Sequence, residues 1–167
     1  MALETSRDLF VYNLKEMYYI ENQLVEMLDE LASDTPDEKL AKGFADHRDE
    51  TRRQVERLET VFREIHETPE TRESGVLDGL KRDHEEFKRE VASNDLKTPY
   101  HLAAGIKTER MEITGYQGLI MLANEIDFDG DVKGPLKENL DEEEDTLQTL
   151  TTMQKGSNIK KAIQNLL

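Results

Sequence analysis

Apolar side chains recur along this chain in alternating steps of four and three, the spacing that lays a single stripe along a helix. The first stripe runs Phe10, Leu14, Met17, Glu21, Leu24, Leu28 and Leu31, with a carboxylate at position 21 where an apolar residue belongs. It predicts a helix over about 6–33. Thr35 then reads as an N-cap, Pro36 as a first helical position and Glu38 as the acid of a capping box, so a second helix is expected over about 37–65. Its stripe is Leu40, Phe44, His47, Thr51 or Gln54, Leu58, Val61 or Phe62, and Ile65, with polar residues gathered at its middle. Glu50 lies within one turn of both His47 and Gln54.

The stretch from His66 to Gly75 carries Pro69 and polar residues and reads as a loop. Ser74 is a candidate cap for a short helix over about 75–92, whose density of charge suits a surface connector rather than a core helix. Thr98 and Pro99 open a long helix over about 99–126, striped by Leu102, Ile106, Glu109, Ile113, Tyr116, Ile120 and Ala123, with Glu112 one turn beyond Glu109. After a turn at Asp127–Pro135, the last long helix, about 132–154, carries Leu136, Leu140, Glu143, Leu147 and Leu150. Two helical hairpins joined by a long connection predict an all-α, antiparallel four-helix bundle with a short extra helix in the crossover. The tail beyond Gly156 is expected to add a short amphipathic helix through Ile159, Ala162, Ile163 and Leu166, capping the bundle or serving a dimer.

A chain of 167 residues fits one domain, here 1–167. The absence of cysteine limits any metal site to oxygen and nitrogen ligands. A net charge of -15 repels phosphate backbones and anionic lipid, so no nucleic-acid partner is expected, and such an acidic surface suits high salt. The first residues lack a basic-then-apolar leader, and no apolar run is long enough to span a bilayer. A soluble, cytoplasmic protein without membrane contact is the expectation.

Composition leaves the broken stripes unexplained. An isolated carboxylate in a dry core is costly enough that it protonates or finds a partner. Glu21 and Glu50 stand at similar distances from the first turn, as Glu112 and Glu143 do from the Asp127 turn, so antiparallel pairing brings all four to mid-bundle. Together with His47, and with Glu109 on the face of Glu112, they form a set that hard cations would neutralise. Read without a metal, the same glutamates reach solvent or pair with arginine, and His47 is a hydrogen-bonded packing residue.

Several segments resemble the YciE/YciF-type ferritin-like family: Tyr19-Ile20-Glu21-Asn22-Gln23-Leu24, Phe44 to Thr51, Arg57-Leu58-Glu59, Glu109 to Ile113, Tyr116, and Leu140 to Glu144. The resemblance spans most of the chain. It implies a ferritin-like bundle similar to rubrerythrin and bacterioferritin, a homodimer, a stress-related role, and a di-metal site. The metals are expected to be two iron ions, with manganese as the alternative, held by Glu21, His47, Glu50, Glu109, Glu112 and Glu143 and supported by Gln54 and Tyr116. The chain departs from the ferritin-like Glu-x-x-His pattern: His47-x-x-Glu50 is reversed, Glu143-x-x-Thr146 has no histidine, and Arg110 stands where the family often has histidine. A ligand set poor in nitrogen also suits manganese.

The expected chemistry is oxidation of Fe(II) by O2 or peroxide, as a ferroxidase or peroxide scavenger; a metal-free helical stress dimer is the alternative, and a hollow iron-storage shell is disfavoured by the long crossover. Tyr18, Tyr19 and Tyr116 read as packing residues, with electron relay the alternative for a tyrosine beside iron. His66, His84 and His101 are expected in water. Asp127, Asp129, Asp131 and Glu138 match the acidic positions of a calcium loop, but Val132 replaces its obligatory glycine, so a plain acidic turn is expected.

Overall fold

The computed structural model describes residues 3–156 of the chain. Five α-helices follow one another: α1 (Ser6–Asp34), α2 (Glu38–Glu64), α3 (Gly75–Glu90), α4 (Lys97–Glu125) and α5 (Gly130–Lys155), with a short 3-10 turn (Asn94–Leu96) leading into α4. The four long ones form a ferritin-like antiparallel bundle. α1 and α2 make one hairpin and α4 and α5 the other, and the hairpins meet through α1 against α4 and α2 against α5. Ser6 at the start of α1 donates to Glu125 at the end of α4, while Asp34 at the end of α1 pairs with Lys97 at the start of α4, which fixes the antiparallel sense. The expected tail helix lies outside the described residues.

Helix ends follow local chemistry, and two differ from expectation. Thr35 is the C-cap of α1, not the N-cap of α2: the residue before a proline is driven out of the helical region, and Thr35 sits at φ -80, ψ 120. Its hydroxyl donates back to the Leu31 carbonyl, and Asp37 caps α2 by accepting from the Leu40 amide. α5 begins at Gly130, capped by the Asp129 carboxylate, so Pro135 lies inside the helix instead of in the preceding turn. Helix over positions 130–138 leaves no calcium loop between Asp127 and Glu138. His66 and Asp127 both take positive φ just past a helix, and in each case the next amide bonds back to a carbonyl of the last turn, Glu67 to Phe62 and Phe128 to Ala123.

The crossover is strapped along α1. The Arg72 amide donates to the Lys15 carbonyl, its guanidinium lies 3.7 Å over the Tyr12 ring, and Nη1 reaches Glu16 at 2.7 Å. α3 is held more closely than a surface connector would be. Leu77 is fully buried, Tyr19 donates to Asp78 at 2.8 Å, and Phe87 stacks on Tyr100 with ring centroids 3.6 Å apart. The predicted stripe of α1 is buried at every position, as is that of α2. In the second half of α4, however, Leu119 and Leu122 are buried while Ile113 and Ile120 are only partly so, and in α5 Asn139 takes the inward place expected of Leu140. At mid-bundle α1 passes so close to α4 that a Cβ on Gly115 would collide with the Met17 sulfur.

Candidate metal centre

At the middle of the bundle the apolar core gives way to a cluster of buried acids. α2 contributes His47, α4 contributes Glu109 and Glu112, and α5 contributes Glu143; one ligand atom from each lies within 4.8 Å of the others. His47 Nε2 is 3.3 Å from Glu109 Oε1 and 3.6 Å from Glu143 Oε2. α1 completes the ring with Glu21, which is fully buried and accepts a hydrogen bond from the Tyr116 hydroxyl. The one-turn spacing of Glu109 and Glu112 puts both carboxylates on the same inward face.

Glu50 is not among the clustered four. Its side chain is 37% exposed, and Oε2 lies 3.7 Å from His47 Nδ1, on the side of the imidazole away from Glu109. Arg110, at the position where histidine was looked for, is exposed. Tyr18 and Tyr19 donate to Glu59 and Asp78, away from the cluster, whereas Tyr116 touches it directly.

Electrostatics show the strain of gathering these groups. Burial raises the Glu21 carboxyl to about 7, partly opposed by the Tyr116 hydrogen bond and the His47 imidazole. Burial also pushes Glu112 well above the usual carboxylate range, reinforced by repulsion from Glu143, Glu21 and Glu109. Glu143 moves the same way, through burial and then Glu109, with His47 opposing. For His47, burial disfavours the charged ring, but Glu109, Glu50 and Glu143 outweigh it and the imidazole rises well above its ordinary value.

Two hydrogen-bonded arms hold the carboxylates from outside. Gln54, fully buried, donates to Glu143 Oε1 at 2.5 Å and to Glu142 at 3.1 Å. Arg57 grips Glu142 with both terminal nitrogens, at 2.8 and 2.9 Å, and donates to Asn139 Oδ1 at 3.0 Å. Asn139 in turn donates from Nδ2 to the Tyr116 oxygen at 2.9 Å, and Tyr116 donates to Glu21. Sequence reading found Gln54 and Tyr116 and missed Asn139 and Arg57. The available signal was that Asn139 stands four residues before Glu143, one turn away on the same face.

The inward-facing atoms are left without protein partners. Glu21 Oε2, Glu109 Oε2, both oxygens of Glu112 and Glu143 Oε2 are buried with no hydrogen-bond partner; on the outer side of the imidazole, facing Glu50, His47 Nδ1 is unpartnered too. Buried polar atoms are almost always satisfied, so five unpaired carboxylate oxygens at one level fit a cation-binding site. The donor set is hard: one imidazole and four carboxylates, suited to iron or manganese.

Two openings reach the cluster. A cleft of about 430 Å3 between α2 and α5 ends on His47 and Glu109. A cavity of about 40 Å3 beneath α3, walled by Leu24, Leu28, Leu31 and Leu80, ends on His47, Glu109 and Glu112. His84 lies on the wall of that cavity, and His84 and His101 are both buried between α3 and α4 instead of lying in water; only His66 is exposed.

Residues 5–163 match the family described as a domain of unknown function, DUF892. The chain is 32% identical over 163 residues to protein YciF of Escherichia coli (strain K12), covering 97% of this chain and 98% of that one. Its fold is similar to the crystal structure of the E. coli stress protein YciF, with a TM-score of 0.84, 30% identity and 98% of each chain covered. It is also similar to YcfI of Rhodopseudomonas palustris, described as a candidate structural protein, with a TM-score of 0.85 and 30% identity over 89% of this chain and 94% of that one.

Proposed function

The chain belongs to the DUF892 family, and on that premise we propose that it is a di-metal carboxylate protein that binds two iron ions and oxidises Fe(II) with O2 or peroxide in a stress-related role. The observation that carries this reading is the set of buried, unpartnered carboxylate oxygens from α1, α4 and α5 beside His47 of α2. Glu21, His47, Glu109, Glu112 and Glu143 would hold the ions. Manganese fits the same donors. Resemblance to a stress protein supports the physiological context.

An iron pair, when bound, would supply two one-electron oxidations of Fe(II) to Fe(III), which balance the reduction of one hydrogen peroxide and two protons to two waters. The chain's own residues position and insulate that chemistry. Gln54 and Tyr116 each fix one oxygen of Glu143 and Glu21 by donating a hydrogen bond, which leaves the other oxygen of each carboxylate directed inward. Tyr116 keeps its phenolic proton, because burial and then the nearby Glu21 and Glu143 raise its pKa well above the ordinary value. Leu24, Leu28 and Leu119 exclude bulk water around the acids. Cation binding would displace protons from Glu21, Glu112 and Glu143, whose carboxyls are raised by burial.

A second reading, a single ion held by His47, Glu109, Glu112 and Glu143 alone, is favoured by the 4.8 Å span of those four. Stoichiometry separates the two. Anaerobic Fe(II) followed by air is expected to give a di-ferric absorption band that saturates at about two irons per chain, and Glu143→Gln is expected to abolish it. A wild-type protein that gives no band, or a variant that keeps it, would count against the proposal. Association as a homodimer is proposed with it, supported by exposed Leu9 on α1 and Met121 on the neighbouring α4.

A further inference from the structure

The two openings onto the cluster differ in chemistry. The cleft between α2 and α5 is lined by Asp46, Glu50, Glu142 and Asp145 and floored by His47 and Glu109. The floor residues are 4% and 2% exposed, and each carries a buried atom without a partner, His47 Nδ1 and Glu109 Oε2. Glu50 stands between floor and solvent, partly exposed yet 3.7 Å from that buried nitrogen. Asp145 makes no ion pair among the described residues, whereas Asp46 pairs with Lys42 and Glu142 with Arg57. Lys39 and Lys42 also line the cleft, so its field comes from an excess of acid, not from acid alone.

The cavity beneath α3 touches the same ligands but is far narrower, at about 40 Å3, and its lining sets Leu24, Leu28, Leu31 and Leu80 beside Glu30, Asp83 and Lys107. A dication entering there would have to shed most of its hydration shell to pass the leucines, with two carboxylates, Glu30 and Asp83, short of the cluster and Lys107 beside them, against four carboxylates in the α2–α5 cleft. In the α2–α5 cleft it can exchange waters for carboxylate oxygens step by step, and converging acids raise its local concentration.

We propose that divalent cations reach the buried cluster through the cleft between α2 and α5, steered by Asp46 and Asp145 and handed inward past Glu50, while the leucine-walled cavity beneath α3 is closed to them. This rests on the metal-binding reading above and adds the route. Glu50 becomes an entry residue, which accounts for its partial exposure beside a buried imidazole.

The test is rapid mixing of Mn2+ with the full chain, followed by loss of the EPR signal of the hydrated ion. In the double variant Asp46→Asn, Asp145→Asn, uptake at low salt is expected to slow by about tenfold and to lose most of its salt dependence, with the final number of ions per chain unchanged. A control variant, Glu30→Gln with Asp83→Asn, removes the acids beside the cavity under α3 and is expected to take up Mn2+ at the wild-type rate. Full binding by the cleft variant at the wild-type rate, or equal slowing in the control, would overturn the route while leaving the metal site standing. A wild-type chain that takes up no Mn2+ at all would overturn the site and the route together.

Discussion

Glu112 concentrates the chemistry of the site in one residue: fully buried, both oxygens unpartnered, its carboxyl pushed upward by burial and by three neighbouring glutamates. Replacing a buried charge or a forced neutral acid by an isosteric amide removes repulsion without opening a cavity. Glu112→Gln is therefore expected to raise the stability of the metal-free protein by about 1–3 kcal/mol and to abolish the rise in melting temperature that added Mn2+ is expected to give the wild type. Thermal melts with and without Mn2+ check both; loss of stability without metal, or a retained metal shift, would contradict the assignment. Position by position, Glu21, Glu109 and Glu143 were legible because each breaks an apolar stripe, and Glu112 because it stands one turn beyond Glu109. Asn139 was not, since a neighbouring leucine at position 140 fits the same spacing and only packing decides which of the two faces inward. Glu50 shares a face with Gln54 in one dimension, but the cleft between α2 and α5 leaves it half in water.

Helix boundaries show where local rules compete. Thr35 was legible as a cap but for the wrong helix, because Thr-Pro ends a helix as readily as it begins one and Asp37 offers the better N-cap geometry. The same threonine ties α1 to α4. Its only proton goes to the Leu31 carbonyl, so its oxygen must accept from His101 Nδ1 at 2.9 Å, which fixes the neutral ring as the Nδ1–H tautomer. Burial, then His84, lowers the His101 pKa to about 4, with Asp34 and Glu30 of α1 opposing and Lys97 of α4 adding to the depression. In the unfolded chain the imidazole keeps its ordinary pKa of 6.5 and binds the proton more readily. This contribution to stability is present above about pH 6.5 and is lost as pH falls through about 4. Relative to His101→Gln, the wild type is expected to lose on the order of 1–2 kcal/mol between these limits, less than the bare shift because solvent screening at the α3 rim weakens it. Denaturant titrations across that range check the sign; a difference independent of pH would contradict it. Neither His84 nor His101 was legible as buried, because α3 looks too charged to bury anything and the Phe87–Tyr100 stack that brings α3 onto α4 is a long-range contact.

Across the whole molecule, the bundle and its crossover were readable from the stripes alone, since four amphipathic faces of matched length have few ways to bury themselves. Symmetry of turn-to-glutamate distance carried that reading one step further, to a shared height for acids on different helices. What spacing could not supply was the sideways arrangement: which groups enclose the cluster, which arm restrains each carboxylate, and where the surface opens. α2 against α5 provides an acidic cleft, α3 over α1 and α4 a leucine-walled cavity, and both end on His47 and Glu109. On the proposed reading, cations neutralise the buried acids at this point, and anomalous diffraction from crystals grown with Fe(II) or Mn2+ would reveal them. Two peaks about 3.5–4 Å apart, enclosed by Glu21, His47, Glu109, Glu112 and Glu143, are the predicted result; saturating metal with no peak inside the bundle, and those carboxylates unchanged, would contradict it.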